Sequence, residues 1–109
     1  MESILTSIKK LIGIEADDTY FDPDLIIHIN SVIATLYQMG VGPEGFQITG
    51  ANEVWTDYLS DVSKIAYSRS YIALKVKALF DPSSSSAVMQ SMNEMMKEYE
   101  WRLYSEKNF

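Results

Sequence analysis

Apolar residues recur every three or four positions in four stretches of the chain, and this spacing predicts four helices. The first helix is short and ends at Gly13. Its apolar stripe comprises Ile4, Leu5, Ile8, Leu11 and Ile12. The second begins with Asp22 as N-cap and Pro23 in the first turn, and it ends at Gly40. Its core face comprises Leu25, Ile29, Val32, Ile33 and Leu36.

The third predicted helix, residues 61–80, is apolar on two faces, which is typical of a central helix contacted from both sides. One face comprises Val62, Ile65, Ala66, Ile72, Ala73, Val76 and Phe80, and the other Tyr67, Tyr71, Leu74 and Ala78. Asp81 and Pro82 end this helix at a tight corner, and the fourth helix, within residues 83–109, returns antiparallel to it. The expected core stripe of the fourth helix is Val88, Met92, Met95, Met96, Tyr99 and Leu103.

A loop at residues 41–53 separates the second and third helices and is long for so small a bundle, which favours a functional contact surface. Its segment "FQIT" has the composition of one short strand. Trp55, Tyr58 and Leu59 have helical spacing and predict a turn that anchors the end of the loop. The pattern as a whole predicts a single all-α domain over residues 1–109.

The amino-acid composition excludes some kinds of chemistry and argues against one class of function, nucleic-acid binding. The chain has 109 residues, 47% of them hydrophobic and 22% charged, as in an ordinary folded domain. It contains no Cys, which excludes disulfide and thiolate chemistry. The net charge of −6 argues against a protein that grips nucleic acid through its phosphates.

The charge is unevenly distributed. Residues 1–61 carry ten acids and two bases, whereas residues 62–109 carry seven bases and five acids. Such a chain can meet copies of itself acid to base. A solvated acidic surface without a partner explains the same distribution.

None of the motifs associated with catalysis or cofactors has the context that its chemistry requires. "GVGPEG" matches G-x-G-x-x-G but follows a helix instead of a strand, so it predicts a helix cap and turn. The acids Asp17, Asp18, Asp22 and Asp24 lack the Gly and Glu of a calcium-binding loop. His28 is the only histidine, so no His pair is available for a metal. The sequence therefore predicts no enzyme, no cofactor and no metal site.

Two residues do not fit an ordinary helical bundle. Arg69 lies in the middle of an apolar stripe, and a buried guanidinium needs a carboxylate or carbonyl partner. An internal ion pair and a contact with a neighbouring subunit both satisfy this need. Trp101 points nearly opposite the core stripe of its helix, and an exposed Trp on a polar face is typical of an interface anchor.

Three segments resemble the small head–tail connector, or adaptor, proteins of tailed bacteriophages. They are "ILTSIKKLIGI", "FDPDLIIHINSVIATLYQMGVGP" and, most clearly, "YIALKVKALFDPSSSSAVMQSMNEMMKEYEWRLY". The resemblance covers nearly the whole chain and rests on structural motifs. It implies a helical subunit of a ring, often of twelve, that docks on the portal protein, receives a tail or stopper protein and leaves a channel for DNA. It also implies a place in the neck of the virion, after synthesis in the bacterial cytoplasm, and no membrane contact.

The resemblance implies two contact surfaces, one facing the portal or a neighbouring subunit and the other a second contact, and the two assignments could be exchanged. One surface is the fourth helix and its tail, with Trp101, Tyr104 and Phe109. The other is the 41–53 loop, with Phe46 and Ile48. Arg69 is also predicted to lie in a protein interface. The acidic half would line the channel. The residues expected there are Glu15, Asp17, Asp18 and Glu44. The alternative is a regulatory adaptor that forms a discrete helical dimer, such as an antitoxin or anti-repressor.

Overall fold

The computed structural model describes residues 2–80 and 86–108, with side chains at 2–80 and 87–103. Its five helices are α1 (Ile4–Ile12), α2 (Asp22–Gln38), α3 (Trp55–Tyr58), α4 (Val62–Phe80) and α5 (Ser86–Asn108). The all-α prediction is confirmed, and the predicted turn after the loop is α3. In the described residues the strand expected at "FQIT" does not form, and one isolated bridge, Ser3 to Val54, is the only β pairing. The corner at Asp81 and Pro82 lies outside the described residues.

Short polar side chains set the starts of α1 and α4. Ser3 Oγ accepts a hydrogen bond from Thr6 N at 3.0 Å, and Gly13, at φ +87°, closes the other end of α1. The Asp61 carboxylate accepts hydrogen bonds from Ser63 and from the Lys64 backbone N–H at 3.2 Å. These bonds, first that of the Ser63 hydroxyl, lower the pKa of Asp61.

The expected N-cap of α2 is wrong by one residue. Phe21 occupies the cap, and Asp22 is the first helical residue, ahead of Pro23. The Asp22 carboxylate does not cap the helix; it lies 2.9 Å from Lys9 Nζ, with which it forms an ion pair. A tertiary partner has therefore replaced the local role that the sequence suggested.

Lys9 is buried, with 2% of its side chain exposed, and it joins three segments. Besides facing Asp22, its Nζ donates to the carbonyl oxygens of Ala16 at 3.1 Å and Asp18 at 2.6 Å. The ammonium thus fixes the end of α1, the acidic loop and the start of α2 against one another. A buried ammonium is tolerated only with such partners.

Helix α4 is central, as predicted, and packs against α1, α2 and α5. Tyr71 is fully buried in α4 and donates from its hydroxyl to Glu100 Oε2 at 2.8 Å. Tyr67 accepts from Arg102 at 3.5 Å, so earlier residues of α4 meet later residues of α5 and the two helices run antiparallel. The buried core face predicted for α2 is confirmed in full.

Several residues expected in the core are exposed. On α1 and α4 these are Leu11, Val62 and Ala66, and on α5 Val88 and Met95. Arg69 is exposed as well, so the buried guanidinium expected from its neighbours does not exist. Helical spacing gives the direction of a side chain around the helix axis, but it does not say whether another element covers that side chain.

We expect Lys9→Met to lower the free energy of unfolding by about 1.5–3 kcal/mol, because two loop carbonyls and Asp22 lose a charged donor. Lys10→Met is the matched control. Lys10 pairs with Glu2, but 61% of its side chain is exposed, so its loss should change stability by no more than about 0.5 kcal/mol. Urea unfolding of both variants measures the difference, and equal midpoints would contradict the anchoring role of Lys9.

Candidate assembly surfaces

The loop at residues 41–53 is fixed to α2 by Asn30, whose side-chain amide pairs with both backbone groups of one loop residue, as a neighbouring strand would. Asn30 Nδ2 donates to the Ile48 carbonyl at 3.0 Å, and Asn30 Oδ1 accepts from the Ile48 N–H at 2.8 Å. Ile48 itself is buried in the core. A buried side chain offers no surface to a partner, so Ile48 supports the loop from within instead of forming the contact predicted from sequence.

An aromatic contact determines the shape of the same loop. The rings of Phe46 and Tyr58 lie 4.9 Å apart, and Tyr58 is buried beside Gly42. Burial raises the pKa of the Tyr58 phenol well above its ordinary value, and its hydroxyl has no hydrogen-bond partner among the described residues. Phe46 is half-buried, so part of its ring remains on the surface of the loop.

The "GVGPEG" segment forms a turn, as predicted. Gly40, Gly42 and Gly45 all have positive φ. At Gly42 a Cβ would lie 2.5 Å from Tyr58 Cε1, so this glycine is required by close packing as well as by its backbone. The segment contributes a tightly packed turn to the loop.

The far end of the loop is also tied down. The Ile4 N–H donates to the Glu53 carbonyl at 2.9 Å, and the Glu53 carboxylate accepts from the N–H and hydroxyl of Thr49. Burial opposes ionisation of Glu53, but the hydrogen bonds from Thr49 outweigh it and lower the pKa of this carboxyl. The loop is therefore an ordered part of the fold, fastened at both ends.

Trp101 lies where the helical wheel predicts. It is 67% exposed and points away from the buried stripe of α5, whose described members include Met92, Met96 and Leu103. Tyr104 lies in the last turns of α5, but its side chain is outside the described residues, as is all of Phe109. The described part of the C-terminal surface thus centres on one exposed indole.

Arg69 opens onto a hollow of about 300 Å³ beside α1, α3 and α4, which we call the Arg69 hollow. Its apolar walls are Trp55, Val62 and Ile65. Within the described residues no hydrogen bond or ion pair engages the Arg69 guanidinium. Of the two explanations offered for Arg69, the structure therefore lacks the internal ion pair.

The hollow continues along α1 to a second one. A region lined by Lys10, Leu11 and Arg69 leads to a hollow of about 210 Å³ whose walls include Leu74, Met95 and Tyr99. This groove was missed in the sequence, since Leu11 and Met95 were assigned to the core. The spacing of apolar residues around Leu11 and Met95 does not predict a groove, because a groove depends on the distance between two packed helices.

The four expected channel acids lie on two loops. Glu15, Asp17 and Asp18 are exposed between α1 and α2, and Glu44 is exposed in the 41–53 loop. Asp18 accepts from the Tyr20 N–H at 3.2 Å; across the described residues, no hydrogen bond or ion pair engages the carboxylates of the other three. Within the described residues, the carboxylates of Glu15, Asp17 and Glu44 therefore make no contact that holds the fold together, whereas Asp18 does.

The described residues hold no group of three or more acids or histidines arranged to bind a metal ion. None of the described helices is long and apolar enough to span a membrane. His28, the only histidine, is half-buried on α2.

Comparison with known families matches residues 4–108 to a family described as phage connector protein. No curated protein and no solved structure matches the chain.

We expect Gly45→Ala to lower the free energy of unfolding by about 1–2 kcal/mol, through its left-handed backbone alone. Gly42→Ala should lose about 1–3 kcal/mol more, because its Cβ must also displace the Tyr58 ring. Gly45 is the matched control, since a Cβ there meets nothing within 4 Å. Denaturant unfolding compares the two, and equal losses would contradict a tightly packed loop.

Proposed function

Because the chain belongs to a family of phage connector proteins, we propose that it is a ring-forming subunit of the neck of a tailed bacteriophage. In this proposal a ring, of about twelve copies by analogy with such connectors, docks on the portal protein. It receives a tail or stopper protein on the other side, and DNA passes through its centre. The family match over nearly the whole chain is the observation that carries the proposal.

The surface of the subunit supports an assembling role. Several large apolar side chains are exposed on separate helices, among them Val62 on α4, Trp101 on α5 and Ile27 on α2. A ring subunit needs two different contact surfaces, one for each neighbour, as well as surfaces for the components above and below. Exposed apolar residues on more than one side of the subunit fit this need.

The distribution of acids supports a passive channel. Asp22, Asp57 and Asp61 are engaged with Lys9 or with backbone N–H groups at helix starts. Glu15, Asp17 and Glu44 have no such task within the described residues. Acids without a task in the fold, repeated around a ring, would repel DNA weakly and over a screening length of about 8 Å at physiological salt.

The deciding experiment is negative-stain microscopy of the purified protein with and without the portal protein of the same phage. We expect rings, or a ring-shaped layer on one end of the portal. A discrete dimer that leaves the portal bare would overturn the proposal and favour the regulatory adaptor.

The two tryptophans should separate folding from assembly. Trp101→Ala should change the free energy of unfolding by no more than about 0.5 kcal/mol, because the indole is exposed, yet it should weaken ring formation or portal binding. Trp55→Ala is the contrasting variant. Trp55 is buried and donates from Nε1 to Ser7 Oγ at 2.8 Å, so its loss should cost about 3–5 kcal/mol.

Denaturant melts and portal pull-down, run on both variants, check this prediction. Loss of the fold in Trp101→Ala would show that the indole packs in the core. Unchanged portal binding and ring formation would remove it from the assembly surfaces.

The protein should not retain duplex DNA on a filter at micromolar concentration and low salt, because the acidic surface repels phosphates. A variant with Lys in place of Glu15, Asp17, Asp18 and Glu44 should retain it, with retention that falls steeply as salt is added. Salt-sensitive retention by the natural sequence would overturn the passive channel and indicate a DNA-binding role.

A further inference from the structure

We infer that neighbouring subunits join head to tail, with Trp101 of one copy seated in the Arg69 hollow of the next. The inference rests on the proposed ring and names the two surfaces that form its repeated contact. The occupant of the hollow is thus a second copy of this chain.

The two surfaces are on different sides of the subunit. At 100° per residue Trp101 is turned by about 180° from Met92, which packs in the core, so the indole faces away from α4. The Arg69 hollow lies beside α4, against α1 and α3. A contact between two different patches is heterologous, and repetition of such a contact closes a ring when the rotation per subunit allows it.

The hollow suits an indole in size and chemistry. Its volume is about 300 Å³, and an apolar cavity of about 150 Å³ already accommodates a benzene ring. Val62 is 81% exposed in the single subunit and forms one apolar wall, with Ile65 and the buried Trp55 behind it. Seating Trp101 there covers the most exposed apolar side chain of α4 and the exposed indole in one contact.

Charge supports the same pairing. The Arg69 guanidinium has no partner among the described residues, and Trp is the aromatic side chain that binds a guanidinium best. Glu94 and Lys97 lie two turns and one turn before Trp101 on the same face of α5, and the lining of the hollow includes both Arg69 and Glu2. A neighbouring subunit that brings Trp101 into the hollow therefore brings one acid and one base to a surface that carries one base and one acid, and we assign Glu94 to Arg69 and Lys97 to Glu2.

Single-cysteine variants test the contact cleanly, because the natural chain has no Cys. A tagged Val62→Cys chain is mixed with an untagged Lys97→Cys chain, and a short bis-maleimide is added. Position 97 is suitable because it is exposed and lies one turn before Trp101. We expect rapid formation of the tagged–untagged pair. Tyr20→Cys, which is 82% exposed on the α1–α2 loop, replaces Val62→Cys as the control and should react at the background rate.

Adding Trp101→Ala to the Lys97→Cys chain should lower the yield by about tenfold or more, as for loss of an anchor residue. Arg69→Glu should weaken cross-linking, and Glu94→Arg in the partner should restore it. Yields equal to the Tyr20 control, or unaffected by Trp101→Ala, would overturn the inference. So would a predominance of Lys97→Cys homodimers, which would show α5 packed against α5.

Failure of this inference is distinguishable from failure of the proposed function. Rings seen on the portal without the Val62–Lys97 cross-link would leave the connector role standing and discard only this contact. A bare portal would count against the connector role, whatever the cross-linking shows.

Discussion

The buried ammonium of Lys9 is the interaction on which the arrangement of the N-terminal half depends. It reaches the carbonyl oxygens of Ala16 and Asp18 and the carboxylate of Asp22, so one side chain joins α1, the acidic loop and α2. Because an ammonium out of water must keep its partners, the loop has little freedom to move away from α1. Glu15 and Asp17 are held on that loop, and their position on the surface follows from Lys9.

The 41–53 loop obeys a similar constraint through different chemistry. Asn30 satisfies both backbone groups of Ile48, while Gly42 lets the chain pass against the Tyr58 ring. Thirteen residues without regular structure are thereby held in one conformation. A flexible loop of that length would lose conformational entropy when it bound a partner. In the proposed assembly, a loop that is already ordered would present Phe46 to a partner without that entropic cost.

The sequence was most informative where a helix has a complete partner surface. The buried face of α2, the central position of α4 and the exposure of Trp101 all follow from helical spacing and are confirmed. Spacing gives an angle around the axis but not the extent of the helix opposite, and for that reason Leu11 and Val62 were wrongly placed in the core. Bonds between residues distant in the chain have no local pattern; the pair of Trp55 with Ser7 is an example.

The buried core forms within one chain, and this bears on the ring assembly that we propose. The buried residues of all five helices form one apolar cluster within a single chain, from Ile4 in α1 to Leu103 in α5. Subunits whose core is closed fold first and then meet through surfaces that already exist, unlike obligate dimers whose monomers are unfolded. Trp101 and Arg69 are exposed and lie outside this core, so in the proposed ring their substitution would affect assembly without disturbing the fold. Folding and assembly should therefore respond to substitution almost independently, as expected for distant sites that share no partner.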